Sequence, residues 1–343
     1  MGDEEKKQQP DMDREFLALR ERYFNIMQPI FTPIPDKHDI VDFFASILRV
    51  VGMEDGGWDP FEESRGMILD MDHLMKIDLP ISRFPDENHS KWRFGLLQYS
   101  HAVEVDAVYE LIANILRYHL GEGYSPSPFF KYLTEKRQKS YRKKSMDPLE
   151  KIAIIKQLGG RLGCPAGELL EEFYDNKLRN AIAHSDFILS ETEFRCRGGT
   201  GGMQAYKMPL DKVADILLKT RAFYSAFWGL EAACRKYFAQ HYANKAIPYD
   251  PHYKGMLEVL ANGDGMMSGF KIHWPNKHES TYVRHEDGID MCNIFLGKDL
   301  KIEMNVGLYP KKAGTWSLVL AEGDMPNYTP LANGNIPIWP EEL

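Results

Sequence analysis

The chain has 343 residues, 43% of them hydrophobic and 27% charged, which is the composition of a globular protein large enough for two or three domains. Its net charge of −8 argues against a protein that coats nucleic acid or an anionic membrane with its whole surface, although a local basic patch is still allowed. The four cysteines lie far apart and form no CxxC pair, so we expect neither a disulfide framework nor a zinc ribbon, which fits a cytoplasmic protein. No apolar run reaches the roughly 18 residues of a membrane span, so we expect no membrane contact.

The N-terminal part predicts a disordered tail followed by a helical region. Residues 1–14 are charged and almost free of apolar side chains, which is typical of disorder. Two short amphipathic helices with proline breaks are expected over residues 15–49, and residues 56–85 are rich in turn-forming glycine and proline. Four potential metal ligands cluster in this last part, namely Asp70, Asp72, His73 and Asp78. Their spacing matches no cation-binding loop, so we expect no metal site and no cofactor.

A long helix is predicted over residues 89–119. Apolar residues recur there at helical spacing, and Gly121 and Gly123 follow where the helix would end. The apolar stripe consists of Leu97, Val105, Val108, Ile112, Ile115 and Leu116. Such a stripe indicates a helix packed against a hydrophobic core.

The most basic segment of the chain is residues 131–144, where seven basic residues accompany one glutamate and two tyrosines. Taken alone, this composition favours a solvated helix face or loop. The functional interpretation is a segment whose cations contact RNA phosphates and whose tyrosines stack on bases. The predicted RNA-binding residues are Lys136, Arg137, Lys139, Tyr141, Arg142, Lys143 and Lys144.

Two further helices are expected between residues 147 and 178. Asp147-Pro148-Leu149-Glu150 is a capping-box sequence that opens the first helix, and Gly159-Gly160 would end it. The second helix begins near Pro165 and leads into the stretch Leu178-Arg179-Asn180-Ala181-Ile182-Ala183-His184-Ser185-Asp186-Phe187.

This stretch places an arginine, an amide and an imidazole within six positions. Asn180 and His184 would share one helix face, with Arg179 about 100° away, while Ala181 and Ala183 would let another backbone come close. A cation, an amide and a titratable ring on a surface of low relief suit phosphate chemistry. The alternative is an ordinary amphipathic helix with solvated Arg and His, which the spacing alone favours.

After His184 the periodicity changes. A short hairpin is predicted over residues 187–190 and 193–197, and the glycine run at 198–202 lacks the spacing of a nucleotide-binding loop. A long helix is predicted from Pro209 to Ala243. Alternating apolar residues then predict a small antiparallel sheet over about 266–321. Three histidines of this part, His273, His278 and His285, lack the spacing of a zinc site.

The sequence Arg179-Asn180-Ala181-Ile182-Ala183-His184 resembles the Arg-polar-x(3–5)-His signature of HEPN domains, the higher-eukaryote and prokaryote nucleotide-binding superfamily. The context over residues 89–245 is similar too, with helices before the motif, a short extended excursion after it and a long closing helix. We therefore predict a mainly α protein, an HEPN-like helical bundle with a helical N-terminal region and a small antiparallel β domain at the C-terminus. The expected divisions are a disordered tail (1–14), an N-terminal region (15–85), the HEPN-like domain (86–246) and the β-rich domain (247–343).

The resemblance implies a metal-independent endoribonuclease that acts as a homodimer, with catalytic Arg179, Asn180 and His184 lining a shared cleft. The residue types fit this chemistry. RNA supplies its own nucleophile, the 2′-hydroxyl, so the protein need only move a proton and stabilise a dianionic phosphorane. An imidazole titrates near neutral pH, and an arginine binds two phosphate oxygens at once.

Many members of the superfamily belong to prokaryotic defence or toxin–antitoxin systems. The expected role is therefore that of an RNA-cleaving effector, with RNA as substrate and a protein partner or inhibitor at the C-terminal β domain. Two alternatives stay open. One is a non-catalytic HEPN-like module that dimerises and binds RNA or a nucleotide. The other is an interaction protein in which the helices serve only as a scaffold.

Overall fold

A computed structural model describes residues 2–34, 40–50, 59–141, 145–196, 205–250, 255–274, 279–285, 288–296, 302–304, 308–312 and 315–318. Helices make up most of these residues, so the prediction of a mainly α protein is confirmed. The helices are α1 (Gly2–Met27), α2 (Ile40–Leu48), α3 (Pro60–Lys76), α4 (Glu87–Ala102), α5 (Asp106–His119), α6 (Glu135–Ser140), α7 (Pro148–Leu162), α8 (Ala166–Glu171), α9 (Asn176–Ala183) and α10 (Leu210–Tyr242). In this described part of the chain, no helix is long and apolar enough to cross a membrane.

The strands follow α9 and form small antiparallel sheets. The first sheet has the order β1 (Phe187–Leu189), β2 (Glu193–Cys196), β3 (Tyr206–Pro209). The second has the order β4 (Ala246–Asp250), β5 (Gly255–Ala261), β6 (Met267–His273), β7 (Glu279–His285), β8 (Gly288–Cys292). Two further pairs are β9 (Ile294–Leu296) with β10 (Ile302–Met304) and β11 (Leu308–Lys312) with β12 (Thr315–Leu318). The hairpin after His184 and the small C-terminal sheet are thus confirmed, although the latter begins about 20 residues earlier than predicted.

Helix α10 is the centre of the fold because it packs against both α1 and the β4–β8 sheet. Its Phe223 ring lies 5.8 Å from Tyr23 of α1, centroid to centroid. Its Phe238 ring lies 4.9 Å from Phe44 of α2, which in turn lies 6.2 Å from Phe270 of β6. The sheet and the helices therefore share one hydrophobic core, which burial of these large rings stabilises. The domain boundaries expected at residues 85 and 246 stay predictions.

The single long helix predicted before residue 119 is divided into α4 and α5, which corrects the prediction. Two buried tyrosine hydroxyls donate to carbonyl groups at the break, Tyr224 to the oxygen of Ala102 and Tyr109 to that of Val103 at 2.9 Å. Because a buried unpaired carbonyl is costly, these bonds stabilise the break. Leu97, expected in the core, is 51% exposed, whereas the other members of the predicted stripe are buried.

Helix α7 begins as predicted, with a capping box formed by Asp147 and Glu150. It does not end at Gly159-Gly160 but continues to Gly163, whose φ of 69° is a left-handed conformation that suits glycine. The importance of Gly159 lies in packing instead. A Cβ there would lie 2.2 Å from the carbonyl oxygen of Cys164, so glycine lets the chain turn back closely against the helix.

The N-terminal region differs from two expectations. Helix α1 begins at Gly2, so the tail expected to be disordered is helical, and its many Glu, Lys and Gln residues have high helix propensity. The segment expected to be rich in turns contains α3. Asp59 caps this helix by accepting from the N–H of Phe61 at 3.1 Å, and Pro60 occupies the first helical position.

Candidate active site

Helix α9 carries the predicted motif and is held against α4 at its N-terminus. Asp175 caps α9 by accepting from the N–H of Leu178 at 2.8 Å, and its own N–H donates to the Tyr99 hydroxyl of α4 at 2.9 Å. The buried side chains of α9 are Leu178, Ala181 and Ile182. Ala181 is therefore covered by residues of its own chain. Ala183 is exposed.

His184 lies where the chain leaves α9. The N–H of Ser185 donates to Ile182 at 3.0 Å and that of Asp186 to Ala181 at 2.9 Å, which are the two bonds of a Schellman motif. Ser185 has a φ of 53°, a left-handed conformation that is costly for a residue with a Cβ. The His184 imidazole is exposed, and within the described residues it has no hydrogen-bond partner. The ring is thus accessible from solvent.

Arg179 is half-buried and is oriented by two oxygen acceptors. Its Nε donates to Glu104 in the turn between α4 and α5, and its Nη1 donates to Asn180 Oδ1 at 2.7 Å. The hydrogen bond to Glu104 raises the pKa of Arg179, and the charges of Glu104 and Asp147 add to this rise while burial opposes it. One N–H on Nη1 and two on Nη2 have no partner among the described residues, so they can donate to an anion.

Asn180 contacts Arg179 and not His184. Its Oδ1 accepts from Arg179, and its Nδ2 donates to Asn176 Oδ1 at 3.3 Å, so both ends of the amide are used within α9. The structure therefore brings Arg179 and Asn180 together. Among the described residues nothing joins either of them to the His184 ring, although the backbone N–H of His184 donates to the Asn180 carbonyl at 3.0 Å.

The basic segment of residues 131–144 is partly used for structure. Arg137 pairs with both carboxylate oxygens of Glu150, at 3.0 and 2.9 Å, and Tyr141 packs on Phe130 with ring centroids 5.4 Å apart. Lys136 and Lys139 of α6 are exposed. The other predicted RNA contacts, Arg142, Lys143 and Lys144, lie outside the described residues. Two of the four described residues are therefore engaged in packing or ion pairing.

The N-terminus of α7 carries two acidic residues, Asp147 and Glu150, that act on other elements. Glu150 of its capping box binds Arg137 of α6, and the field of Asp147 reaches Arg179 and the buried Tyr174. The acidic start of α7 therefore offsets positive charge in both regions predicted to contact RNA.

Glu104 is the residue of this site that the sequence motif does not include. It lies 75 positions before Arg179, in a break within the helix predicted over residues 89–119. No local signal pairs two residues so far apart, because only the packing of α4 on α9 brings them together. An acidic residue within a helix break is the weak hint that the sequence offers.

Asp72, one of the four potential metal ligands noted in the sequence, serves as an ion-pair partner. Asp72 pairs with Lys76 on the same helix and with Arg221 of α10. Across the described residues, His, Cys, Asp and Glu side chains nowhere gather in a group of three or more that could hold a metal ion.

No protein-family model, curated protein or solved structure matches this chain.

Proposed function

We propose that this chain is a metal-independent endoribonuclease of HEPN type that acts as a homodimer, with His184 and Arg179 as catalytic residues. One observation carries the proposal. His184, at the C-terminal end of α9, presents an exposed imidazole that has no hydrogen-bond partner among the described residues, and Arg179 on α9 holds its unpaired N–H groups in a defined orientation. A proton carrier and an oriented cation are the groups that RNA transesterification requires.

The reaction follows from the chemistry of RNA. Neutral His184 takes the proton of a 2′-hydroxyl, and O2′ forms a bond to the adjacent phosphorus while the P–O5′ bond breaks. The leaving O5′ takes a proton from an imidazolium, which the second subunit of a homodimer would supply. Arg179 binds non-bridging oxygens and stabilises the dianionic phosphorane. The products are a 2′,3′-cyclic phosphate and a 5′-hydroxyl.

Asn180 and Glu104 act in this proposal as positioning residues. Each gives Arg179 one oxygen acceptor, so together they fix the plane of the guanidinium and leave Nη2 free. The resemblance implies that Asn180 contacts the phosphate or the imidazole directly. In this proposal it acts instead through Arg179, whose guanidinium it orients.

The proposal is tested with purified protein and a mixed pool of single-stranded RNA. We expect cleavage that persists in EDTA and leaves 2′,3′-cyclic phosphate and 5′-hydroxyl ends, and we expect His184→Ala to lower the rate at least about a hundredfold, as is usual for a general acid or base. His73→Ala is the matched control, because His73 is an exposed histidine on α3, away from the motif. Cleavage that EDTA abolishes, or that survives His184→Ala, contradicts the mechanism.

One observation favours a second candidate, a non-catalytic HEPN-like module that binds RNA or a nucleotide. Glu104 already pairs with Arg179 and offsets part of the charge that would stabilise a dianionic phosphorane. In that case purified protein binds RNA without cutting it, and Arg179→Ala changes affinity alone.

We further propose that the nuclease is a growth-arresting effector of a prokaryotic defence or toxin–antitoxin system. Expression of the active chain in a bacterial host should then stop growth, and His184→Ala should restore it. Equal toxicity of both forms would argue for an effect of the scaffold instead.

A further inference from the structure

A cavity of about 330 Å³ lies where the turn after α3 meets the start of α4, and we name it the α3–α4 cavity. Its volume is within the range of roughly 300 to 1,000 Å³ that small-molecule sites occupy. Glu104 and its partner Arg179 are at the opposite end of α4, roughly 20 Å away along the helix axis. The cavity is therefore separate from the candidate active site.

Hydrogen bonds hold the two sides of the α3–α4 cavity together. The N–H groups of Arg83 and Phe84 both donate to the carbonyl oxygen of Pro80 at 2.9 Å, which closes the turn. The N–H of Leu79, whose side chain is buried, donates to Glu87 in the first turn of α4 at 3.2 Å. Because the turn is tied to the helix, the cavity is largely preformed, as ligand sites usually are.

Two guanidinium groups line this cavity. The side chains of Arg83 and Arg93 are exposed, and neither has a hydrogen-bond or ion-pair partner among the described residues. One guanidinium can bind two phosphate oxygens at once. Two of them match the charge of a phosphate monoester, which is close to −2 at neutral pH, better than that of a single carboxylate.

The rings of Phe84 and Phe94 line the same cavity beside the arginines. Their centroids are 6.2 Å apart and their planes meet at 72°, so the edge of one ring faces the other ring. Both side chains are half-buried, and neither ring contacts a further aromatic ring in the described part of the chain. An edge-to-face pair covers only one of its four ring faces, which leaves room for a flat base to stack from the cavity.

Asp86 adds a hydrogen-bond acceptor to the lining. Its Oδ1 accepts from the N–H of His89 at 2.9 Å, while its Oδ2 lies 3.9 Å from His89 Nδ1, beyond hydrogen-bond distance. A carboxylate repels a bare phosphate but accepts from the hydroxyl groups of a ribose. The α3–α4 cavity thus combines donors for a phosphate, an acceptor for a sugar and aromatic rings for a base.

We propose that the α3–α4 cavity binds a ribonucleotide. Arg83 and Arg93 hold the phosphate, the base stacks on Phe84 or Phe94, and Asp86 accepts from a ribose hydroxyl. The ligand can be a free nucleotide or one nucleotide of an RNA chain, since both present the same three groups. This site does not depend on the nuclease proposal, because none of its residues belongs to the α9 motif.

Binding to the full chain is measured by isothermal titration calorimetry with AMP, and with adenosine and inorganic phosphate as its two halves. We expect AMP to bind more tightly than either half, because only AMP reaches the arginines and the rings together. Arg83→Ala/Arg93→Ala replaces exposed side chains and should weaken AMP binding at least about tenfold. Either Phe84→Leu or Phe94→Leu should weaken it at least about fivefold in a protein whose circular dichroism is unchanged.

The control Lys236→Ala/Lys245→Ala removes two exposed cations near the end of α10 and should leave the affinity for AMP unchanged. A competition experiment separates the two sources of the ligand, with His184→Ala protein so that RNA stays intact. Displacement of AMP by single-stranded RNA identifies a nucleotide of an RNA chain as the ligand. AMP binding that RNA does not disturb identifies a free nucleotide.

Four results overturn the site. They are a wild-type protein that does not bind AMP, AMP affinity no higher than that of inorganic phosphate, an arginine variant with wild-type affinity, and an equal loss in the lysine control. Failure of the nuclease proposal is distinguishable from all four. A protein that binds AMP through the α3–α4 cavity but leaves RNA intact keeps this site and refutes catalysis.

Discussion

At the scale of the residue, the proposed mechanism makes Glu104 the group that determines how much of the Arg179 charge an RNA substrate can use. Glu104→Gln keeps an oxygen acceptor for Arg179 Nε and removes the negative charge. We therefore expect tighter binding of RNA, with KM lower by about twofold to fivefold, which is the effect of an ion pair worth up to about 1 kcal/mol. The value of kcat should not fall, because the guanidinium stays oriented. Steady-state cleavage of a short labelled RNA measures both constants.

Glu104→Ala separates orientation from charge. This variant loses the acceptor as well, so the guanidinium becomes free to rotate, and we expect kcat to fall about tenfold. Glu171→Gln serves as the control, because it removes an exposed carboxylate that pairs with Lys156 elsewhere on the surface. Identical kinetics for Glu104→Gln and Glu104→Ala would mean that Glu104 acts only through its charge.

At the scale of the element, the C-terminal end of α9 is held in a conformation that its sequence does not favour. Ser185 has a φ of 53°, so Ser185→Gly should increase the free energy of unfolding by about 0.5 to 1 kcal/mol. Ser100→Gly in α4 is the opposite test, since glycine within a helix should lower stability by a similar amount. Urea denaturation followed by circular dichroism measures both. A destabilised Ser185→Gly protein would show that the Ser185 side chain makes a contact that outweighs the strain.

The elements that could be predicted are those with local signals. The capping box at Asp147 fixes the start of α7, and an uninterrupted apolar stripe fixes α10. The break between α4 and α5 could not be predicted, because it is stabilised by the hydroxyl of Tyr224, more than 100 residues away. The sequence likewise predicts that Gly159 ends a helix. The structure shows instead that glycine at this position lets the backbone of Cys164 pack closely against α7.

At the scale of the whole molecule, the same division applies to the candidate site. Arg179, Asn180 and His184 lie within one short stretch, so a sequence pattern could find them. Glu104 could not be found, because its place beside Arg179 depends on the packing of α4 on α9. The candidate catalytic residues can therefore be found from the sequence, while the group that orients Arg179 from a distant part of the chain is a property of the fold.

Asp59 joins three parts of the molecule. It caps α3, and its carboxylate pairs with Arg49, the residue after α2, and with Arg284 of β7. Arg284 also donates to the carbonyl oxygens of Leu48 and Arg49, at 2.9 and 3.2 Å.

Asp59→Asn keeps a capping oxygen but leaves two largely buried arginines without their shared counter-charge. We expect it to lower the free energy of unfolding by on the order of 3 kcal/mol at pH 7. Asp86→Asn at the N-cap of α4, a side chain that is 69% exposed, should cost less than about 0.5 kcal/mol.

The ion pairs of Asp59 with Arg49 and Arg284 should also make the stability of the protein depend on pH. Burial acts to raise the pKa of Asp59, but the hydrogen bonds and charges of Arg49 and Arg284 outweigh it and lower the pKa from 3.8 to about 2. A carboxyl group whose pKa is lowered by folding stabilises the folded protein at every pH above the pKa that the group has in the unfolded chain. For Asp59 this contribution is about 2 kcal/mol, and it is lost as the pH falls from about 4 to about 2. The stability difference between wild type and Asp59→Asn should therefore shrink over that interval in urea titrations. A difference that stays constant with pH would show that the ion pairs with Arg49 and Arg284 do not hold the sheet to the helices.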